Sequence, residues 1–171
     1  MTFQELHTLL DYHYWARDRV LAAVESLTRE QLTADRGNSF PSIFDTVVHL
    51  YGADWIWYSR WQGTSPPMTA LPPSDAFPDL ATLRTTWADL ERRLRDFVQA
   101  LGEDGIQRPI TYTGPGGKVQ AQIFWQMFQH LVNHGSYHRG QITTMLRQIK
   151  SDPPKSMDLI AFYRERAAAN P

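Results

Sequence analysis

Three histidines, His130, His134 and His138, follow one another at intervals of four residues in a segment with apolar residues at helical spacing. In an α-helix, residues four apart lie on one face, about 6 Å apart along the axis and about 40° apart around it. Two imidazoles so placed can bind one metal ion from a single helix, as the paired histidines of zinc proteases do. A metal site is therefore one hypothesis for this segment.

The apolar residues of the same segment rank the three histidines. They form a stripe only about 60° wide at 100° per residue, which is typical of the inward face of a bundle helix. The stripe consists of Phe124, Met127, Leu131, Ile142, Met145 and Ile149. His138 falls inside the stripe, His134 about 20° beyond its edge, and His130 about 60° beyond it. The pattern predicts that His134 and His138 point inward and that His130 lies on the flank.

Ordinary packing is the alternative interpretation. A neutral imidazole on a packed helix can be satisfied by one or two hydrogen bonds. Two histidines on one apolar face both need polar partners, however, and a shared metal ion would supply them. The spacing alone leaves both interpretations open.

Composition limits the classes of function. The 171 residues, 42% of them hydrophobic, predict one domain spanning residues 1–171 with a sizeable core. The formal net charge of -1 and the lack of a clustered basic face argue against nucleic-acid binding. Without cysteine, disulfides, thiolate ligands and a cysteine nucleophile are excluded. We expect no secretion signal and no membrane span, and hence a soluble cytoplasmic protein.

Hydrophobic periodicity predicts an all-α four-helix bundle with one long crossover loop and a short C-terminal helix. The predicted helices span residues 2–26, 39 or 40–61, 79–101, 120–150 and 156–169. The second helix is predicted to begin with Ser39 as its cap. Five prolines in residues 63–78 predict a crossover loop without regular structure.

Smaller features accompany the long helices. Thr28 to Gln31 has the pattern of a capping box. Residues 109–113 and 118–119 flank a Gly-Pro-Gly-Gly turn, which predicts a small β-hairpin or extended arm before the last long helix. Gly135 and Gly140 inside that helix are expected to allow close approach of a neighbouring helix or ligand.

Three further polar residues fall within predicted helices. His49 lies in the middle of the second helix, which is apolar nearly all round, so it needs a partner: either the histidines of the last helix or a backbone carbonyl. His13 is predicted to be a core histidine, with a role as a third ligand or as a support for the ligands left open. Asp54 lies about 140° around the helix from His49, so we assign no catalytic base.

With His49 and the block from His134 to Gln141 in place, the chain resembles the DinB/YfiT-like family of metal-binding four-helix bundles. The His-x-x-x-His-Arg-Gly-Gln block is the most specific part of the resemblance, and residues 42–50 resemble the second helix of the family. Weaker matches lie at residues 14–17, 111–113, 117–118 and 158–162. The resemblance covers nearly the whole chain.

The resemblance implies that His49, His134 and His138 bind one divalent metal ion, which could be zinc, nickel, iron or manganese. Three protein ligands leave coordination positions open, as catalytic sites do. By resemblance, we expect a metal-dependent S-transferase that uses a low-molecular-weight thiol on a small electrophile. Arg139 and Gln141 are candidates for supporting the ligands or binding substrate.

Two other functions remain open. One is a metal-dependent hydrolase, and the other is a non-catalytic, stress-associated metal-binding protein. The resemblance also implies a homodimer, for which Trp57, Tyr58 and Trp61 could supply exposed aromatic surface. A small-molecule substrate is the expected partner in the enzymatic alternatives.

Overall fold

A computed structural model describes residues 1–169, in which four long helices pack into a bundle. They are α1 (Phe3–Val24), α3 (Ile43–Trp61), α4 (Leu80–Ile106) and α5 (Phe124–Gln148). The short helix α2 (Arg29–Thr33) follows α1, the strands β1 (Pro109–Thr113) and β2 (Val119–Ile123) precede α5, and α6 (Leu159–Ala169) follows it. The predicted all-α bundle with a long crossover and a short C-terminal helix is confirmed.

Both α5 and α4 contact α1 and α3, so α5 and α4 lie at opposite corners of the bundle. The core between them is made of side chains from all four helices that are 0–1% exposed: Leu6, Leu10, Val47, Leu83, Leu90, Leu94, Phe128, Leu131 and Ile142. Residues spaced by threes and fours build this core, as the periodicity predicted. The bundle is the scaffold that holds α3 against α5.

The beginning of α3 differs from the prediction. Ser42, and not Ser39, caps the helix, because the Ser42 hydroxyl accepts a hydrogen bond from the Asp45 amide (3.0 Å) and the Asp45 carboxylate accepts one from the Ser42 amide (3.1 Å). This reciprocal pair satisfies two donors that would otherwise lack partners. Phe40 consequently precedes the helix instead of belonging to its first turn. The capping box predicted from Thr28 to Gln31 is confirmed.

The crossover between α3 and α4 contains two 3-10 turns, Met68–Ala70 and Ser74–Ala76, so the prediction that it has no regular structure was wrong. Each turn directly follows a proline, whose φ of -66° or -71° is already compatible with a turn. Leu71 packs on Gly52 so closely that a Cβ there would lie 3.1 Å from a Leu71 methyl carbon. The crossover is thereby held against α3.

A break in α4 falls where the sequence predicted its end. Gly102 has φ 62° and ψ -174°, outside the helical region, and one more turn follows to Ile106. Such a positive φ is favourable for glycine because it has no Cβ. The predicted end at residue 101 therefore marks the break correctly but misses the last turn.

The hairpin ahead of α5 is confirmed and is longer than predicted. Strands β1 and β2 pair antiparallel from Pro109 opposite Ile123 to Thr113 opposite Val119. Residues 120–123, which we assigned to the helix, therefore lie in β2, and α5 begins at Phe124. Pairing with β1 satisfies their backbone groups, which outweighs the local preference for a helix.

Trp61 does not provide exposed surface. It is 5% exposed and packs against Phe97 and Phe124, with a ring-centroid distance of 4.9 Å to Phe124. The aromatic surface suggested for a homodimer is therefore smaller than the sequence indicated. Within residues 1–169, no helix has both the length and the apolar character needed to span a membrane.

Candidate metal centre

Three histidines from two helices meet where α3 packs on α5. His49 comes from α3, and His134 and His138 come from consecutive turns of α5. One ligand-type nitrogen from each histidine lies within 4.8 Å of the other two. The rings are close on all three sides, with centroid distances of 5.0, 4.5 and 4.4 Å. The structure thus brings together the three residues that the sequence singled out, in a group that could hold a metal ion.

The spacing of the nitrogens fits a shared ion. The Nε2 atoms of His49 and His134 are 3.0 Å apart. Two nitrogens bound to one tetrahedral metal at about 2.0–2.1 Å are separated by roughly 3.3 Å. Three imidazoles are also a donor set that suits zinc, nickel and iron. The residues therefore fit the group that the family resemblance implies, while their assignment as ligands stays a prediction.

Gln141 orients the His138 ring. Its side-chain oxygen Oε1 lies 2.7 Å from Nδ1 of His138, and since an amide oxygen only accepts, Nδ1 carries the hydrogen. The lone pair is then on Nε2, where a metal can bind it. The Gln141 amide nitrogen is in turn 3.4 Å from the Ser39 hydroxyl. This contact is the one expected of a residue that supports His138 as a ligand, and that role stays a prediction.

Phe40 covers the site. Its ring stacks on His49 with a centroid distance of 3.9 Å and an interplanar angle of 21°, and it meets His138 edge-on at 5.4 Å. This contact depends on the start of α3 at Ile43, which leaves Phe40 in the preceding turn. The sequence analysis missed Phe40, because a ring in an irregular segment has no periodicity that indicates its direction.

Burial keeps the three imidazoles neutral. Burial, helped by the neighbouring histidines, lowers the pKa of His49 to about 3, and the same causes lower the pKa of His134 to about 4. The pKa of His138 is also lowered by burial, against the opposing effect of its bond to Gln141. Since metals bind neutral imidazole, the site is in its binding-competent protonation state at pH 7.

His130 lies outside this group. It is exposed, its ring is 5.9 Å from that of His134, and it meets the Trp57 ring edge-on at 5.5 Å. This position agrees with the flanking angle derived from the sequence.

His13 and Asp54 form a separate buried pair. His13 Nε2 donates to Asp54 Oδ1 (2.9 Å), and Trp87 Nε1 donates to Asp54 Oδ2 (2.7 Å). His13 and Asp54 are 3% and 1% exposed. Three helices, α1, α3 and α4, are joined by this arrangement. His13 is thus a core histidine, as expected, and both oxygens of Asp54 are engaged away from the three-histidine group.

One of the two glycines of α5 mediates a close contact. A Cβ on Gly135 would lie 2.7 Å from Arg139 Nη1 and 3.3 Å from His13 Cε1. A Cβ on Gly140 would meet nothing within 4 Å, so no helix within residues 1–169 packs closely against it, and the approach of a ligand there stays a prediction. Gly135 lets α1 pack against α5 beside the metal-ligand candidate His134.

An apolar cavity of about 340 Å³ opens beside His49. Its walls include Phe40, Val48, Leu71 and Pro72, so the crossover loop forms one side. The carboxylate in its lining, Asp45, is occupied by its bonds to Ser42 and Ser74. The cavity could receive an apolar part of a small molecule next to the three histidines.

Comparisons with known proteins agree with the fold. The model of the DinB family matches residues 1–165. Protein DinB of Bacillus subtilis (strain 168) is 26% identical over 145 residues, which cover 82% of this chain and 83% of that protein. A crystal structure of a DinB-like protein from Bacillus cereus ATCC 10987 aligns with a TM-score of 0.57 and 18% identity, covering 86% of this chain and 95% of that one.

Proposed function

The chain belongs to the DinB family, and we propose that it is a metal-dependent enzyme that joins a low-molecular-weight thiol to a small electrophile. The observation that carries the proposal is the convergence of three neutral histidine nitrogens within 4.8 Å. Structural zinc sites usually have four protein ligands, whereas three leave room for a substrate atom. A metal ion held by these three histidines would therefore have an open position for a reacting atom.

His49, His134 and His138 would hold one divalent metal ion, which supplies the positive charge that lowers the pKa of a thiol or water at its open position. Neighbouring residues would orient the histidine rings and shield them from water. Gln141 fixes the ring of His138, and the stacked ring of Phe40 limits the movement of His49 and excludes water from that side.

The apolar cavity beside His49 supports a small apolar electrophile as the second substrate. An electrophile bound between Phe40 and the crossover loop would lie next to the histidines. Holding two reactants side by side lowers the entropic part of the barrier. The absence of cysteine from the chain is consistent with a thiol supplied by a substrate.

Hydrolysis receives less support. A hydrolase commonly uses a side chain as general base near the attacking water. Asp45 lines the cavity beside His49 and Asp54 lies on the same helix as His49, and the oxygens of both are already hydrogen-bonded within the protein. A thiol, whose ordinary pKa of about 8.5 lies far below the value of about 15.7 for water, would ionise at the metal and release its proton to solvent without a side-chain base.

The test begins with elemental analysis of protein purified without chelator or affinity tag. The metal-loaded protein is then incubated with a panel of low-molecular-weight thiols and a chromogenic aryl halide, and adduct formation is followed by absorbance. We expect about one metal per chain and adduct formation above the uncatalysed rate. His138→Ala should lose both, while the matched His130→Ala should keep both.

A metal-loaded protein that accelerates no thiol adduct would contradict the proposal. If it cleaves p-nitrophenyl esters instead, the hydrolase alternative is correct. If it does neither, the protein is a non-catalytic metal binder. Protein that cannot be loaded with any of the four metals would overturn all three, and the histidines would be core residues.

A further inference from the structure

A second cavity, of about 690 Å³, lies between α5 and the segment that follows it. The α5 residues that line it, from Ser136 to Arg147, are centred about 170° around the helix from His134 and His138 at 100° per residue. Its other wall is the segment from Pro154 to Leu159. None of the three histidines lines it, so it is separate from the candidate metal centre.

Arg139 is a buried cation at the edge of this cavity without an acidic partner. It is 3% exposed, and its Nη2 donates to the hydroxyl oxygens of Ser136 (2.8 Å) and Tyr12 (3.4 Å). Within residues 1–169 it forms no ion pair, and its Nε and Nη1 make no hydrogen bond. The nearby carboxylate of Asp54 is taken by His13 and Trp87.

An uncompensated charge is unusual in a protein interior. Buried charges are normally paired, because transfer from water without a partner is costly. Arginine presents five donors in a planar fork that matches carboxylate and phosphate groups. The Nε and Nη1 donors of Arg139, which make no hydrogen bond to any described residue, are therefore suited to bind an anion.

The cavity has the charge that an anion requires. Besides Arg139, its lining contains the cations Arg147 and Lys155, against one carboxylate, Asp158. The Asp158 carboxylate already accepts a hydrogen bond from the Ser156 hydroxyl (3.0 Å). Thr143 and Thr144 also line the cavity, but their hydroxyls donate to the carbonyls of Arg139 and Gly140. Helix α6 begins at the rim of the cavity with the positive end of its dipole.

The cavity wall is held in place by hydrogen bonds to α1. The Tyr12 hydroxyl donates to the Met157 carbonyl (2.9 Å), which leaves its lone pairs for Arg139, and Arg19 donates to the Ser156 carbonyl (2.6 Å). A pre-formed cavity of this size is typical of small-molecule sites.

We propose that this cavity binds a small anionic molecule through a phosphate or carboxylate group that pairs with Arg139. Arg147 and Lys155 at the rim attract the anion and contact its other oxygens. The proposal does not depend on thiol transfer, because it concerns a different cavity.

The test is an NMR titration of zinc-loaded, 15N-labelled protein with inorganic phosphate and, separately, with succinate, at constant ionic strength. We expect saturable shifts of the backbone amides of Ser136, Thr143 and Ser156. Saturation by phosphate alone or by succinate alone supports the site and identifies the group it prefers. The amides of Phe40 and His49 report separately on any anion that binds at the metal.

The variant R147Q/K155Q changes two exposed residues, so its folding should be unaffected, and it should raise the dissociation constant about tenfold. The control K118Q/R164Q removes the same charge from exposed positions outside the cavity and should bind as the wild type does. R139M should abolish saturation if it folds.

Three results would overturn the proposal. They are no saturable shift with either anion, equal affinity of R147Q/K155Q and K118Q/R164Q, and shifts confined to Phe40 and His49.

Discussion

Gln141 lies about one helical turn after His138 on α5, and its side-chain oxygen accepts a hydrogen bond from Nδ1 of His138 over 2.7 Å. Because the amide oxygen has no hydrogen to donate, it selects the tautomer of His138 that can bind a metal through Nε2. A hydrogen bond of this kind orients the ring and raises its basicity as a ligand.

Replacing Gln141 by Leu should therefore weaken metal binding about 10- to 100-fold, which is the usual cost of losing such a partner. Competition with a chromophoric chelator would measure the dissociation constant. Gln141→Glu keeps an acceptor at this position and should recover most of the affinity.

The control for this prediction is Gln148→Leu, which changes an exposed glutamine two turns further along the same helix. Its affinity should equal that of the wild type. An unchanged affinity in Gln141→Leu would show that packing alone orients His138.

Replacing any one of His49, His134 and His138 by Ala should reduce bound metal well below one ion per chain, because each supplies one of only three protein ligands. His130→Ala should keep the full amount, since its ring lies on the exposed flank. Elemental analysis of the four variants decides the matter, and equal losses in all four would contradict the ligand assignment.

Metal affinity should change little between pH 7 and pH 5.5. The pKa of His49 is lowered to about 3 and that of His134 to about 4, so protons compete with the metal only as the pH falls towards those values. The pKa of His138 is lowered as well. We expect less than about a tenfold loss of affinity over this range.

Three histidines with the ordinary pKa of about 6.5 would behave differently. Each would be about nine-tenths protonated at pH 5.5, so the affinity would fall roughly 600-fold from its value at pH 7. A fall of that size, measured by isothermal titration calorimetry, would mean that burial does not perturb the imidazoles.

The two glycines of α5 should respond in opposite directions to alanine. At Gly140 the new Cβ meets open space, and the gain in helix propensity should raise the free energy of unfolding by about 0.5–1 kcal/mol. At Gly135 the Cβ would collide with Arg139 and crowd His13, so we expect a loss of about 1–3 kcal/mol. Urea denaturation measures both, and a gain in Gly135→Ala would show that Arg139 moves aside freely.

Trp87→Phe removes the indole N–H that donates to Asp54 and leaves one buried carboxylate oxygen without a donor. Such a loss should lower the free energy of unfolding by about 1–3 kcal/mol, in addition to the effect of the smaller ring. Trp125→Phe is the control, because within residues 1–169 the Trp125 indole makes no hydrogen bond. If the two variants lose the same free energy, the bond to Asp54 contributes nothing.

The long helices and the inward positions of His134 and His138 could be predicted because both depend on local spacing. Residues at intervals of three and four determine which face of α5 turns inward, and His134 and His138 lie on or beside that face. His49 was found from a different signal, a polar residue in the middle of an apolar helix. Both signals are reliable on the long helices, whose apolar faces pack against one another.

Other features were missed although a signal was present. The Ser42-x-x-Asp45 pattern is a capping box, and the alternation of apolar and polar residues in 119–123 is typical of a strand. We instead gave weight to Ser39 and to the periodicity of the following helix.

The position of Phe40 over His49 depends on the path of an irregular segment, and the isolation of Arg139 depends on contacts between α1 and α5. Neither is encoded in the spacing of neighbouring residues, because both follow from how distant parts of the chain come together.

His49 and His134 are 85 positions apart in the chain, and between them lie the crossover, all of α4 and the hairpin. An ion held by both would close these elements into a ring. Closing so long a ring reduces the number of conformations open to the unfolded chain, as a crosslink does. Removal of the ion by a chelator would then loosen half of the molecule as well as empty the site, so that inactivation and unfolding would be coupled.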